Sequence, residues 1–195
     1  SNSPIRTMPL HVLNNIISSL KKSFTLEIYL DKNSSISNYL KDNIDIKNVN
    51  IIDSKDKVNL VNSIKKIQYG IFMDSGPLHI AKLLNKRGVL IESTVSSKIL
   101  LSGYNNIVSI NNKFSSKYCV SPCGLTDLFN YKGKIGCYNN LKINQFDIIK
   151  NDIIPLMKNR GVKNDYLEYI MKPVNCLKTL NPQTILNYIK KDLSL

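Results

Sequence analysis

Between Phe24 and Ile110 short apolar runs alternate with segments of helical periodicity, and nothing else in the chain restricts its fold as strongly. Phe24–Leu30, Val49–Ile52, Tyr69–Met73, Val89–Ile91 and Ile107–Ile110 read as strands. Ile36–Asn43, Lys57–Lys66, Pro77–Leu84 and a stretch near Ser96–Leu101 read as the helices between them. In the second of these helices Val58, Val61 and Ile64 are expected to face inward. Strands separated by helices of about ten residues make βαβ units, and such units build a parallel sheet with flanking helices. The predicted class is therefore α/β.

Ahead of the first strand lies a one-faced helix, Pro9–Lys22, with Leu10, Leu13, Ile16, Ile17 and Leu20 on its apolar side. A doubly wound, Rossmann-like sheet places its first strand in the middle, beside the fourth. No candidate for that strand precedes the helix, so the first central strand is expected to be missing. Left empty, such a gap costs about 1–3 kcal/mol for each buried backbone group without a partner. Either the chain is a piece of a longer protein cut just after that strand, or another segment fills the gap.

Past Asn111 the character changes. Residues 112–138 are irregular, with Pro122 and the cysteines Cys119, Cys123 and Cys137. Helical patterns follow at Asn144–Lys158, Asn164–Met171 and Pro182–Lys191. The chain divides softly near 112. Residues 1–111 form the Rossmann-like core, and 112–195 form a Cys-containing segment with C-terminal helices packed on the same domain.

Composition adds limits rather than a function. No apolar run is long enough to cross a bilayer, and no signal peptide opens the chain, so a cytoplasmic location is expected. The formal charge is +13, from 27 Lys and Arg against 14 Asp and Glu. This favours anionic partners. The lysines are spread rather than clustered, however, and no aromatic platform or basic helix accompanies them, so nucleic acid is not the expected partner. The cysteine spacing C-x3-C-x13-C-x38-C is no tight pair of pairs, and no metal is expected.

The sharpest signal is Tyr69–Leu84, YGIFMDSGPLHIAKLL. A buried strand ends, a tight turn follows, and Pro77 opens a helix where its missing N–H costs nothing. Gly76 lets a ligand approach the backbone. Free N–H groups at a helix start attract an anion, and His79 in the first turn can donate to a phosphate oxygen. Asp74 is expected at the N-cap, accepting helix N–H bonds. A plain capped helix start, with no ligand, accounts for the same spacing.

This run resembles the D-[ST]-G-x-x-H motif of glycosyltransferase family nine, the ADP-heptose:lipopolysaccharide heptosyltransferases. The helix and strand of Asp56–Tyr69 are similar to those leading into that motif. Ser3–Pro9 looks like the family's loop after the first donor-domain strand, which ends in a basic residue, two more positions and proline. Cys119–Cys123 with Pro122 looks like a Cys/Pro-Cys loop, and Cys176–Pro182 resembles the closing Cys-x-x-x-Leu-x-Pro segment. The likeness spans nearly the whole chain, with an insertion between Cys137 and Cys176.

The resemblance implies the C-terminal, donor-binding half of the two-domain GT-B fold and an inverting sugar transfer. It implies that Arg6, Asp74, Ser75, Gly76, Leu78 and His79 hold the donor diphosphate, and that Thr94 and Glu92 lie near the donor sugar. The resemblance further implies an ADP-heptose-like nucleotide sugar as the donor. A lipid-linked or phosphorylated glycan in lipopolysaccharide or surface-glycan synthesis is the acceptor, met at the inner-membrane surface. The general base belongs to the N-terminal GT-B domain, so no catalytic residue is assigned and this chain alone is expected to turn over nothing. Where the family has Gly-Pro-Thr, this chain reads Glu92-Ser93-Thr94. A carboxylate there repels a diphosphate unless a cation compensates. The alternative is thus a non-catalytic nucleotide- or glycan-binding module derived from the same fold.

Overall fold

The computed structural model describes residues 4–116, 120–124, 130–131, 134–135 and 175–194. A single 3-10 turn, Pro4–Arg6, leads into α1 (Leu10–Leu20). Then come β1 (Leu26–Leu30), α2 (Ser35–Asn43), β2 (Val49–Asp53), α3 (Lys57–Lys66) and β3 (Tyr69–Phe72). α4 (Gly76–Leu83), β4 (Arg87–Ile91), α5 (Ser97–Leu100) and β5 (Ile107–Ile110) complete the alternation. Helix starts fall where a short polar side chain can take an N–H left without an intrahelical partner. Ser34, Asp56 and Ser96 accept from Ser37, Asn59 and Lys98 respectively.

The chain is α/β, with parallel strands and helices on both faces. β1 pairs with β2, and β3–β4–β5 form a second sheet with β4 in its middle; all of these ladders are parallel. Period-two alternation splits β4 between two cores. Val89 and Ile91 join Ile5, Met73 and α1 residues Val12 and Ile16 on one face, whereas Leu90 joins Phe72 with α3 and α4 residues Ile64 and Leu78 on the other. This arrangement is compatible with a Rossmann-like sheet. Among the described residues, β1 pairs with β2 and β3 with β4, and β1 and β3 do not pair with each other.

Beyond β5 the chain makes two short antiparallel pairs, β6 (Phe114–Ser115) with β7 (Val120–Ser121) and β8 (Asn130–Tyr131) with β9 (Lys134–Ile135). α6 (Asn175–Lys178) and α7 (Pro182–Leu193) return to the first core, where Leu177, Ile185 and Ile189 are 0–1% exposed. Asn112 ties this return to the end of β5 by donating to Thr179 Oγ1 at 2.7 Å. The helices expected at Asn144–Lys158 and Asn164–Met171, and Cys119 and Cys137, lie outside the described residues.

One helix face differs from the expectation. α3 buries Leu60, Ser63 and Ile64, while Val58 is 72% exposed. Residues three and four apart share a helix face, and residues two apart do not. With Leu60 and Ile64 inward, Val58 is carried to the solvent side.

Candidate functional site

The carboxyl ends of β3 and β4 gather most of the residues singled out by sequence. Phe72 pairs with Leu90, so Asp74 and Glu92, each two residues further on, leave the sheet side by side. The 3-10 turn arrives at the same place because Ile5, 1% exposed, is packed into the core beside Met73 and Ile91. Arg6 then meets Asp74 across 68 residues of sequence, with Nη1 3.4 Å from Oδ2. The side chains are 29% and 12% exposed, and the contact is longer than a tight charge-assisted bond, so it contributes no more than about 1 kcal/mol. Its value is positional: it sets the guanidinium over the turn into α4. Arg6 Nε is buried without a partner and remains available as a donor.

The turn itself differs from the expected one in a single register. Ser75, not Asp74, is the N-cap of α4, in extended backbone with no side-chain cap bond. Its hydroxyl donates instead to the Met73 carbonyl at 3.1 Å. Asp74 is turned towards Arg6, because a full positive charge outbids a helix N–H for its carboxylate. The number of N–H groups facing outward is also smaller than the spacing implied. Pro77 has none, and the Leu78 N–H donates to the Ser75 carbonyl at 3.1 Å. Leu78, 0% exposed, is a core residue. The first-turn N–H group left for an anion is that of Gly76. Around it there is room: a Cβ at Gly76 would meet nothing within 4 Å.

His79 stands apart from the Arg6–Asp74 pair. It is exposed and, with Lys82 and Tyr104, lines a shallow depression of about 430 Å³ between α4 and the turn after α5. Arg6 and Ser75 instead border a deeper cavity under α1. The described side chains thus unite Arg6, Asp74 and Ser75 and leave His79 on a neighbouring surface, one helical turn along.

Glu92 and Thr94 are 3% and 2% exposed. Glu92 Oε1 accepts the Ser97 N–H at 2.7 Å and so anchors the start of α5, where a carboxylate is favourable to the helix dipole. Its other oxygen, Ser93 Oγ and Thr94 Oγ1 are buried without hydrogen-bond partners. Ser121 Oγ donates to the Ser93 carbonyl at 2.7 Å and the Gly124 N–H to the Thr94 carbonyl at 2.6 Å, so the segment 120–124 folds over them. Ser93 and Ser121 were not legible as site residues. A lone serine carries no pattern; Ser93 is marked only by its burial, and Ser121 only by its bond to the Ser93 carbonyl. Buried polar atoms are ordinarily paired, so the unpaired oxygens of Glu92, Ser93 and Thr94 set this segment apart from the rest of the interior.

Family models, curated protein sequences and solved structures were all compared with this chain, and none matches it.

Proposed function

We propose that this chain is the nucleotide-sugar-binding half of an inverting glycosyltransferase of GT-B architecture, with an ADP-heptose-like donor and a lipid-linked or phosphorylated glycan acceptor. The observation that carries the reading is the meeting of Arg6 with the Asp74–Gly76 turn at the carboxyl end of β3. Open α/β sheets bind ligands outside the carboxyl ends of their strands, where the strand order reverses. A leaving diphosphate gains charge as the sugar–oxygen bond breaks. Arg6 can offer Nε and its remaining N–H donors, and Gly76 a backbone N–H at the positive end of α4. The acceptor and the general base belong to a second domain, and no metal is invoked. The +13 charge suits work against an anionic membrane surface at the cytoplasmic side of the inner membrane. No described helix is long and apolar enough to cross a membrane.

Calorimetric titration with ADP tests the reading. Arg6→Ala is expected to weaken ADP binding by roughly 10–100-fold, the worth of a charge-assisted hydrogen bond to phosphate. Absence of ADP binding, or equal binding in the variant, removes the proposal. The non-catalytic module is favoured by one observation: Thr94 is buried and Glu92 is committed to α5, so neither presents itself to a sugar. Under that reading ADP and ADP-sugars bind equally; under the transferase reading the sugar adds affinity.

A further inference from the structure

We propose that the end of the molecule opposite the candidate site is a docking surface for an anionic phospholipid bilayer, built from pairs of adjacent basic residues that the fold gathers together. The inference stands on the placement of charge and does not depend on the nucleotide-sugar reading.

The chain contains four pairs of neighbouring Lys or Arg: Lys21–Lys22, Lys65–Lys66, Lys86–Arg87 and Lys190–Lys191. In sequence they lie far apart. Each, however, falls in or just past the last turn of a helix, α1, α3, α4 and α7 respectively. In a parallel α/β fold the helices run against the strands, so helix ends and strand starts share one end of the sheet. Contacts between these ends bear this out. Lys86 Nζ, past α4, donates to the Lys65 carbonyl at 2.5 Å and the Ile67 carbonyl at 3.1 Å, at the end of α3. Arg87 Nη2 donates to the Asp192 carbonyl of α7 at 3.1 Å. Leu20 at the end of α1 shares one core cluster with Phe24, Leu26, Tyr69 and Leu193, which brings the first pair to the same place.

A cation at a helix end is favoured by the macrodipole, which accounts for one basic residue at each. It does not account for the second, nor for the shortage of acids around them. Asp45 is taken by Lys21, Asp192 by Arg87, and Glu27 accepts from Tyr29. Among the described residues at this end, that leaves Asp42 as the one uncommitted acid. Lys22, Lys65, Lys66, Lys190 and Lys191 are exposed, and none has an ion-pair partner among the described residues. At the other end Asp31, Asp53, Asp56, Asp74 and Glu92 close or follow the strands and offset the cations there. Two exposed apolar side chains decide the partner. Leu83, 87% exposed, closes α4 between Lys82 and Lys86, and Ile46, 41% exposed, precedes Lys47 just ahead of β2. Beside a solvated polyanion such side chains gain nothing. At a bilayer they enter the acyl boundary while the lysine stems reach back to the phosphates. The Asp74–Gly76 turn is then held about 17 Å from the bilayer, the length of a five-residue strand such as β4, and faces water.

Co-sedimentation with vesicles, with no nucleotide present, tests the surface. The chain should bind phosphatidylcholine vesicles that carry about 30% phosphatidylglycerol, release them as salt rises, and ignore pure phosphatidylcholine. Lys22→Glu, Lys65→Glu and Lys190→Glu combined should weaken binding roughly 100-fold, since each cation near an anionic leaflet is worth about 5-fold. Lys57→Glu, Lys98→Glu and Lys113→Glu combined change the net charge equally at the opposite end, beyond the screening length. That variant should lose less than about 5-fold. Leu83→Ser should weaken binding about 5-fold. All these side chains are exposed, and an unchanged Tm in each variant separates loss of binding from loss of fold. No binding to the anionic vesicles, equal binding to the neutral ones, equal losses in the two triple variants, or unchanged binding by Leu83→Ser overturns the proposal. Tighter binding to a single-stranded RNA at the same salt overturns it in favour of a nucleic-acid partner.

Discussion

β4 and β1 are both five-residue parallel strands rich in branched aliphatic residues, yet they occupy different environments. β4 is paired on both sides, and Val89, Leu90 and Ile91 are all 0% exposed. Among the described residues β1 is paired on one side, and Leu30 is its one buried residue. The difference lies in the neighbours rather than in the strands. α3, α4 and α5 press on one face of the β3–β4–β5 sheet and α1, α6 and α7 on the other. The β1–β2 pair has a small cluster around Leu30 and Leu40, and β1 borders the cavity under α1. The candidate site sits on the well-packed side, where Asp74 and Glu92 leave the sheet from fixed positions. Rigid elements hold a polar constellation more accurately than a loosely covered edge does.

The largest test of this contrast is a pair of truncations. Leu90→Ala removes a fully buried side chain and should cost about 2–5 kcal/mol in urea unfolding. Ile28→Ala on half-buried β1 should cost less than about 2 kcal/mol, since only part of its surface leaves water on folding. Equal costs would mean that the β1–β2 pair is as tightly packed as the other sheet.

Glycines sharpen the comparison at the next scale. A Cβ at Gly88 would lie 2.2 Å from the Gly70 carbonyl oxygen and 3.0 Å from the Phe72 ring. Gly88→Ala should therefore cost about 1–3 kcal/mol, because two paired backbones must move apart. Gly76→Ala should change stability by less than about 0.5 kcal/mol, as nothing stands in the way. It should still weaken ADP binding, since the added methyl occupies the approach to the turn. A stable Gly76→Ala protein with unchanged ADP affinity would separate the glycine from the site.

The smallest effect belongs to alkaline pH. Burial, with the Glu27 carboxylate beside it, pushes the Tyr29 hydroxyl from 10.0 up to about 12, against the opposing hydrogen bond with Ser63. Burial raises Tyr69 as well, with Asp192 adding to the shift. A raised folded pKa means that the folded state holds its proton longer than the unfolded chain. The stabilisation is complete below pH 10 and is lost as pH rises through 12. Stability should thus decline across that window, and Tyr29→Phe should flatten the decline. Identical alkaline profiles for Tyr29→Phe and the unaltered chain would exclude Tyr29 from it.

Much of the fold was legible in the sequence because it is carried by local periodicity. Lys57–Lys66 and Ile107–Ile110 fall where apolar spacing and turn residues place them. The inward face of α3 was misjudged because two apolar sets, one through Val58 and one through Leu60, compete within a short helix. Only packing against the sheet chooses between them. The site was legible as a turn, Asp74 to Gly76, but the role of each residue in it was not. A cap position depends on which charged group approaches, and Arg6 comes from 68 residues away.

By itself, then, the sequence determined the order and kind of elements from α1 to β5, the polar caps that start several of its helices, and the glycine-containing turn after β3. These follow from backbone and side-chain preferences that act over a few residues. The tertiary structure decided the rest. It made Ser75 the cap and turned Asp74 to Arg6, set His79 on a separate surface, and buried Glu92 against α5. Among the described residues it also left β1 and β3 unpaired with each other. Each of these depends on groups distant in sequence competing for one partner, or on which strands meet, and no local pattern records the outcome of either.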